Sequence, residues 1–240
     1  MTGDPLLTAA LLGFVLGLQH ATDPDHLVAV ATIVTRERGF AAGVAVGICW
    51  GLGHAFTLTL AGLVVIALNV RLPAPLVTGF ELAVAAVIVA LGAGRLADAL
   101  RDPQAFGAWP VAQDHDHGGR AVLHRHPRWH LHPSRPLLRA LAGPAPALAG
   151  RAAAVGAVHG LAGTAAVSLL VLATLRTAAG AAAYLAVFAA GTLVGMVVLT
   201  AVMSYPLALA ARFAAARRAL ALGSGLGAVV FGLVHAARAL

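Results

Sequence analysis

Residues 5–35 read PLLTAALLGFVLGLQHATDPDHLVAVATIVT, an apolar run interrupted at its centre by His20, Asp23, Asp25 and His26 around Pro24. About 20 apolar residues cross a bilayer, so this run is long enough to do so with tilt or a break. An ionisable side chain at mid-membrane costs roughly 2.5 to 3.5 kcal/mol even on lenient insertion scales, and four together mark a site.

The rest of the chain supports a membrane setting. Of 240 residues, 60% are hydrophobic and 10% charged, and the mean hydropathy is +0.89. A soluble domain carries about 25% charged residues. Six apolar stretches stand out, at roughly 5–35, 40–68, 76–99, 150–173, 180–203 and 219–240. The fold class expected is all-α, a polytopic transmembrane bundle of about six spans; period-two alternation of the barrel kind is absent. Like the first run, the second is longer than a straight span needs, and tilt or a break is expected there too.

The net charge of +7 is carried by arginine alone, since the chain has no lysine. The arginines gather between apolar runs, which is topology control and contact with lipid heads rather than nucleic-acid binding. With six spans, thirteen of the sixteen fall on one side, and only Arg71, Arg176 and Arg238 on the other. The positive-inside rule then makes the first side cytoplasmic and places both termini outside, in the inner (plasma) membrane. The acidic Asp4 and the lack of a basic residue ahead of the first run disfavour a cleaved signal peptide. Cys49 is the only cysteine, so neither an intrachain disulfide nor a cysteine zinc cluster is expected.

Three divisions follow: an N-terminal three-span part at 1–99, a hydrophilic segment at 100–149, and a C-terminal three-span part at 150–240. Three spans per part would give the two parts opposite orientations, as in many transporters. The shared small-residue settings of His54 and His159 are too brief to establish an internal repeat. The middle segment holds His115, His117, His124, His126, His130 and His132, a composition that fits either a weak metal collector or a plain polar loop on the cytoplasmic side.

Asp23-Pro24 has the form of a helix start, with aspartate as N-cap and proline at the first position. Were the helix continuous, Pro24 would leave the His20 carbonyl without its donor, freeing a backbone oxygen beside the side chains. On a continuous helix Asp25 and His26 would also point about 140° and 240° away from His20, so the break is what lets them converge. Imidazole nitrogen with carboxylate oxygen suits nickel, cobalt or zinc, whereas magnesium and calcium call for oxygen alone. Asp23 suits a supporting role, holding a histidine tautomer. His54, in Gly51-Leu52-Gly53-His54, and His159, in His159-Gly160-Leu161-Ala162-Gly163, are further candidates in small-residue settings that allow close helix approach. Glu81 and His235 lie close enough to span boundaries to be solvated.

The motif His20-x4-Asp25-His26, with its flank His20-Ala21-x-Asp23-x-Asp25-His26, resembles the signature of the nickel/cobalt transporter family, Pro24 standing where that family usually has alanine. Leu52-Gly53-His54 resembles its second motif, from which Ala55 and Phe56 depart. His159-Gly160-Leu161-Ala162-Gly163-Thr164 is similar to the shorter, urease-associated nickel permease branch. The resemblance implies a permease rather than an enzyme. It would move Ni2+ or Co2+ as cargo with no resident cofactor, and serve nickel-enzyme maturation factors. It also implies that His20, Asp25 and His26 bind the ion, with Asp23 and His54 behind them. Efflux, or an accessory role in urease or hydrogenase metal supply, are the alternatives. A Walker nucleotide loop needs lysine and is absent, an H-E-x-x-H protease motif is absent, and a histidine-rich hydroxylase would need several H-x2-3-H sets.

Overall fold

The computed structural model describes residues 5–35, 40–70, 72–101, 149–162, 177–210 and 213–240, and every regular element among them is helical. We number these α1 (Pro5–His20), α2 (Pro24–Val34), α3 (Phe40–Leu68), α4 (Ala74–Arg101), α5 (149–162), α6 (Ala178–Ala210) and α7 (Ala214–Ala239). Four, α3, α4, α6 and α7, are long and apolar enough to cross a membrane. The histidine-rich segment, apart from its first two residues and its last, lies outside the described residues, as does the second half of the fourth apolar stretch.

The first apolar run is two helices. Pro24 has no N–H to donate, so α1 ends at His20, and the N–H groups of Thr22 and Asp23 close tight turns onto Gln19 and His20 at 2.9 and 3.1 Å. Asp23 takes φ −59°, ψ 144°, the extended conformation favoured before proline, and α2 restarts with Pro24 in its first turn. The second run, by contrast, is unbroken through 29 residues. It closes on Asn69, whose φ of 49° is left-handed, with Val70 N–H reaching back to Val65.

Packing follows the small residues. Gly17, Gly191 and Gly195 bring α1 against α6, Gly43 and Gly47 seat Ser204 and Thr200 of α6 against α3, and Gly92 and Gly225 join α4 to α7. Gly156 and Gly160 of α5 face the backbone of Trp50 and His54 so closely that a Cβ at either would overlap a carbonyl oxygen. Matching numbers across these seams shows α1 and α6 running in parallel, α3 and α6 antiparallel, α4 and α7 antiparallel, and α3 and α5 parallel. Chain direction therefore alternates from α1–α2 through α7, and α4 ends at the same end of the bundle where α5 begins. The short α2 is wedged among α3, α4, α6 and α7.

Leu52, Phe56 and Leu60 of α3, Val194, Val198 and Val202 of α6, and Leu226, Val230 and Leu233 of α7 form exposed stripes at helical spacing. Helices apolar on their outer as well as inner faces belong in hydrocarbon, where those stripes meet lipid. At the end of the bundle where α2 finishes, Arg95 donates to the carbonyl of Thr35 at 2.8 Å, and the Thr35 hydroxyl meets that of Ser224 at 3.2 Å. A guanidinium there complements the negative end of the α2 dipole.

Candidate metal centre

The break between α1 and α2 folds His26 back over His20, and their ring centroids are 5.0 Å apart. His54 lies fourteen residues from either end of α3, at the middle of that span. Its ring comes within 5.3 Å of His20 and 5.1 Å of His26. His20, His26 and His54 offer nitrogen atoms within 4.8 Å of one another, close enough to share a metal ion. His159 of α5 approaches from the other side of His26, at 5.5 Å between centroids.

Hydrogen bonding decides which nitrogen each ring presents. His26 Nδ1 lies 3.1 Å from the carbonyl of His20, and His159 Nδ1 lies 3.0 Å from that of Val155. A carbonyl only accepts, so both Nδ1 atoms carry the hydrogen and, in the neutral ring, Nε2 keeps its lone pair. His20 Nδ1 likewise donates to Asp23 Oδ2 at 2.8 Å. The three Nε2 atoms are buried and have no hydrogen-bond partner among the described residues, and neither nitrogen of His54 has one. Buried polar atoms ordinarily find partners; four imidazoles in one place, each with at least one buried nitrogen left without a partner among the described residues, are what a cation site offers.

The six side chains expected to form the site thus divide. His20, His26 and His54 form one group, and Asp23, Asp25 and His26 a second. Asp25 stands 3.8 Å from Nδ1 of His26, beyond hydrogen-bonding distance and on the side of the ring away from Nε2. Expected to bind beside His20, it falls with Asp23 and His26 in the second group rather than in the three-imidazole one. Asp23 occupies the N-cap position without capping, because its carboxylate is engaged by His20. The oxygen that Pro24 releases is likewise taken, by the His26 ring, so proline creates the acceptor that orients a histidine.

Two aromatic contributors escaped the sequence reading. The buried Trp50 packs 5.8 Å from His26 and 5.5 Å from His159, and Phe188 lies 5.6 Å from His20. Trp50 stands four residues before His54 on α3, the spacing that shares a helix face, and that signal was available. Phe188 is brought in from α6 by tertiary packing alone.

No protein-family model matches the chain, and no solved structure matches it. Urease accessory protein UreH of Bacillus sp. (strain TB-90) is 30% identical over 228 residues, covering 95% of this chain and 90% of that protein. Identity at that level along nearly the whole of both chains places this one in the UreH family of urease accessory proteins.

Proposed function

We propose that the chain is a membrane permease for a divalent transition-metal ion, with Ni2+ as its first cargo and Co2+ as the second, and that it moves the ion inward through the His20–His26–His54 cluster. The observation that carries this reading is the set of buried Nε2 lone pairs, aligned by hydrogen bonds on the opposite ring nitrogen and left without partners of their own. Nitrogen donors favour nickel, cobalt and zinc over magnesium and calcium. Descent in the UreH family favours nickel, the metal of urease, and a role as accessory to an enzyme rather than as an enzyme.

In this reading His20, His26 and His54 bind the ion, His159 receives it beside His26, Asp23 holds the His20 ring and Asp25 contributes negative charge near the site. A helix broken within the bundle, with ligand side chains gathered at the break, is a recurring way to build a transporter site. Six crossings, both termini outside and the 100–149 segment in the cytoplasm agree with the arginine distribution and the alternating helix directions. An inside-negative potential of 100 mV would then favour entry of a divalent ion by about 4.6 kcal/mol. Nickel-enzyme maturation factors would collect the cargo.

Uptake of radioactive nickel by the purified chain in liposomes, across a panel of divalent ions, tests the proposal. Nickel should enter, and His26→Ala and His54→Ala should not transport it; no uptake by the parent chain would refute it. Growth in nickel-limited and nickel-toxic media fixes direction, since an importer sensitises cells to excess nickel and an exporter protects them.

A further inference from the structure

The antiparallel seam of α4 and α7 holds a second pair of ionisable side chains. Glu81 is seven residues into α4 and His235 four residues before the end of α7, and His235 Nε2 lies 2.8 Å from Glu81 Oε2. Both belong to helices apolar enough to cross a membrane, and both side chains are partly buried, Glu81 33% and His235 25% exposed. The His235 ring is stacked on Phe231, with centroids 5.9 Å apart and planes at 12°. The seam does not need this pair for adhesion, since glycine packing at Gly92, Gly225 and Gly232 already brings the two backbones together.

The pair is also joined to the imidazole cluster through shared apolar packing. Phe80 and Phe231, its neighbours on α4 and α7, pack in the same apolar cluster as Val155 and Val158 of α5, the turn that leads into His159. Glu81 and His235 are both close enough to His159 to act on it electrostatically. His54 stands fourteen residues before the end of α3 and Glu81 seven residues past the start of α4, so along the helices the Glu81–His235 pair lies nearer than His54 to the end where α3 finishes and α4 begins.

We propose that Glu81 and His235 form a second station for a divalent transition-metal ion, between that end of the bundle and the imidazole cluster; the proposal rests on reading the cluster as a permeation site. One carboxylate oxygen and one imidazole nitrogen suit the same borderline metals as the cluster. The partial exposure of both side chains leaves room for water to complete the coordination shell. In the neutral ring Nε2–H donates to Glu81. On metal binding the Nε2–H bond breaks, its electron pair goes to the metal, and water carries the proton to Nδ1, so no net proton leaves. With two protein ligands instead of three or four, the station holds the ion more weakly than the cluster, as a point of passage requires.

The test counts bound Ni2+ by equilibrium dialysis of the full chain in detergent, with the six loop histidines replaced by alanine in every sample. The parent should bind one ion tightly and a second weakly. Glu81→Gln and His235→Gln should each lose the weak ion and keep the tight one, and Glu81→His should restore the weak ion with an imidazole ligand. In liposomes, Glu81→Gln should raise the KM for nickel about tenfold with little change in maximal rate. Persistence of the weak ion in both glutamine variants, or its failure to return in Glu81→His, overturns the proposal and makes the pair a latch between helices. The cluster reading fails by a different result, retention of the tight ion in His26→Ala.

Discussion

Replacing His54 with leucine should make the metal-free protein more stable while destroying its nickel site. The ring is fully buried and neither nitrogen has a hydrogen-bond partner among the described residues. A buried polar group left unpaired costs about 1 to 3 kcal/mol, and leucine, of similar size, removes two such atoms and keeps the packing. Discounting for relaxation around the ring, a gain of about 1 to 2 kcal/mol is expected. The parent should recover that deficit only when metal is present, because a ligand at 100 times its Kd stabilises by about 2.7 kcal/mol. Thermal unfolding in detergent, with and without Ni2+, measures both effects. The variant should melt above the metal-free parent, show no shift with Ni2+, and fail to take up nickel in liposomes. A histidine that merely bridges helices would behave oppositely, so a metal-free His54→Leu that melts below the parent would refute the argument.

Asp23→Ala should weaken nickel binding about tenfold, the low end of what loss of a histidine-orienting carboxylate costs, because this carboxylate is half exposed. Asp23→Asn, whose amide oxygen can still accept from His20 Nδ1, should retain more affinity than the alanine variant in the same titration, and the reverse order would count against the tautomer argument. Gly156→Val should lower the melting temperature, since its Cβ would overlap the carbonyl and ring of Trp50, and overpacking costs about 1 to 3 kcal/mol. Gly227→Ala, with open space at the Cβ position, should match or exceed the parent in the same melts. Arg95→Met should destabilise by about 1 to 3 kcal/mol by leaving the Thr35 carbonyl without its donor, and an unchanged melting temperature would remove Arg95 from the support of α2.

The legible part of this protein is the part governed by local rules. Apolar run lengths located the third helix to within two residues at each end, read as 76–99 and found as Ala74–Arg101, but the fifth, read as 180–203, runs seven residues further, to Ala210. Proline chemistry placed the break in the first run, because the absence of an N–H at Pro24 acts whatever the surroundings. Length alone could not choose between tilt and a break for the second run, and α3 is unbroken. Glu81 and His235 illustrate the same limit: their nearness to span ends argued for solvation, and both are partly exposed, but that they pair across the antiparallel seam was not legible.

By itself the sequence determined that this chain is a helical membrane protein, that its first apolar run is broken at Pro24, and that nitrogen and oxygen donors crowd the break. Only the tertiary structure decided which donors face one another. The approach of α3 and α5 over Gly156 and Gly160 sets His54 and His159 beside His26, while Asp25 groups with Asp23 and His26. Local composition dictates how a segment folds because its causes lie within a few bonds. Convergence of side chains separated by more than a hundred residues depends instead on how closely helices pack, which small residues permit and only the assembled bundle sets.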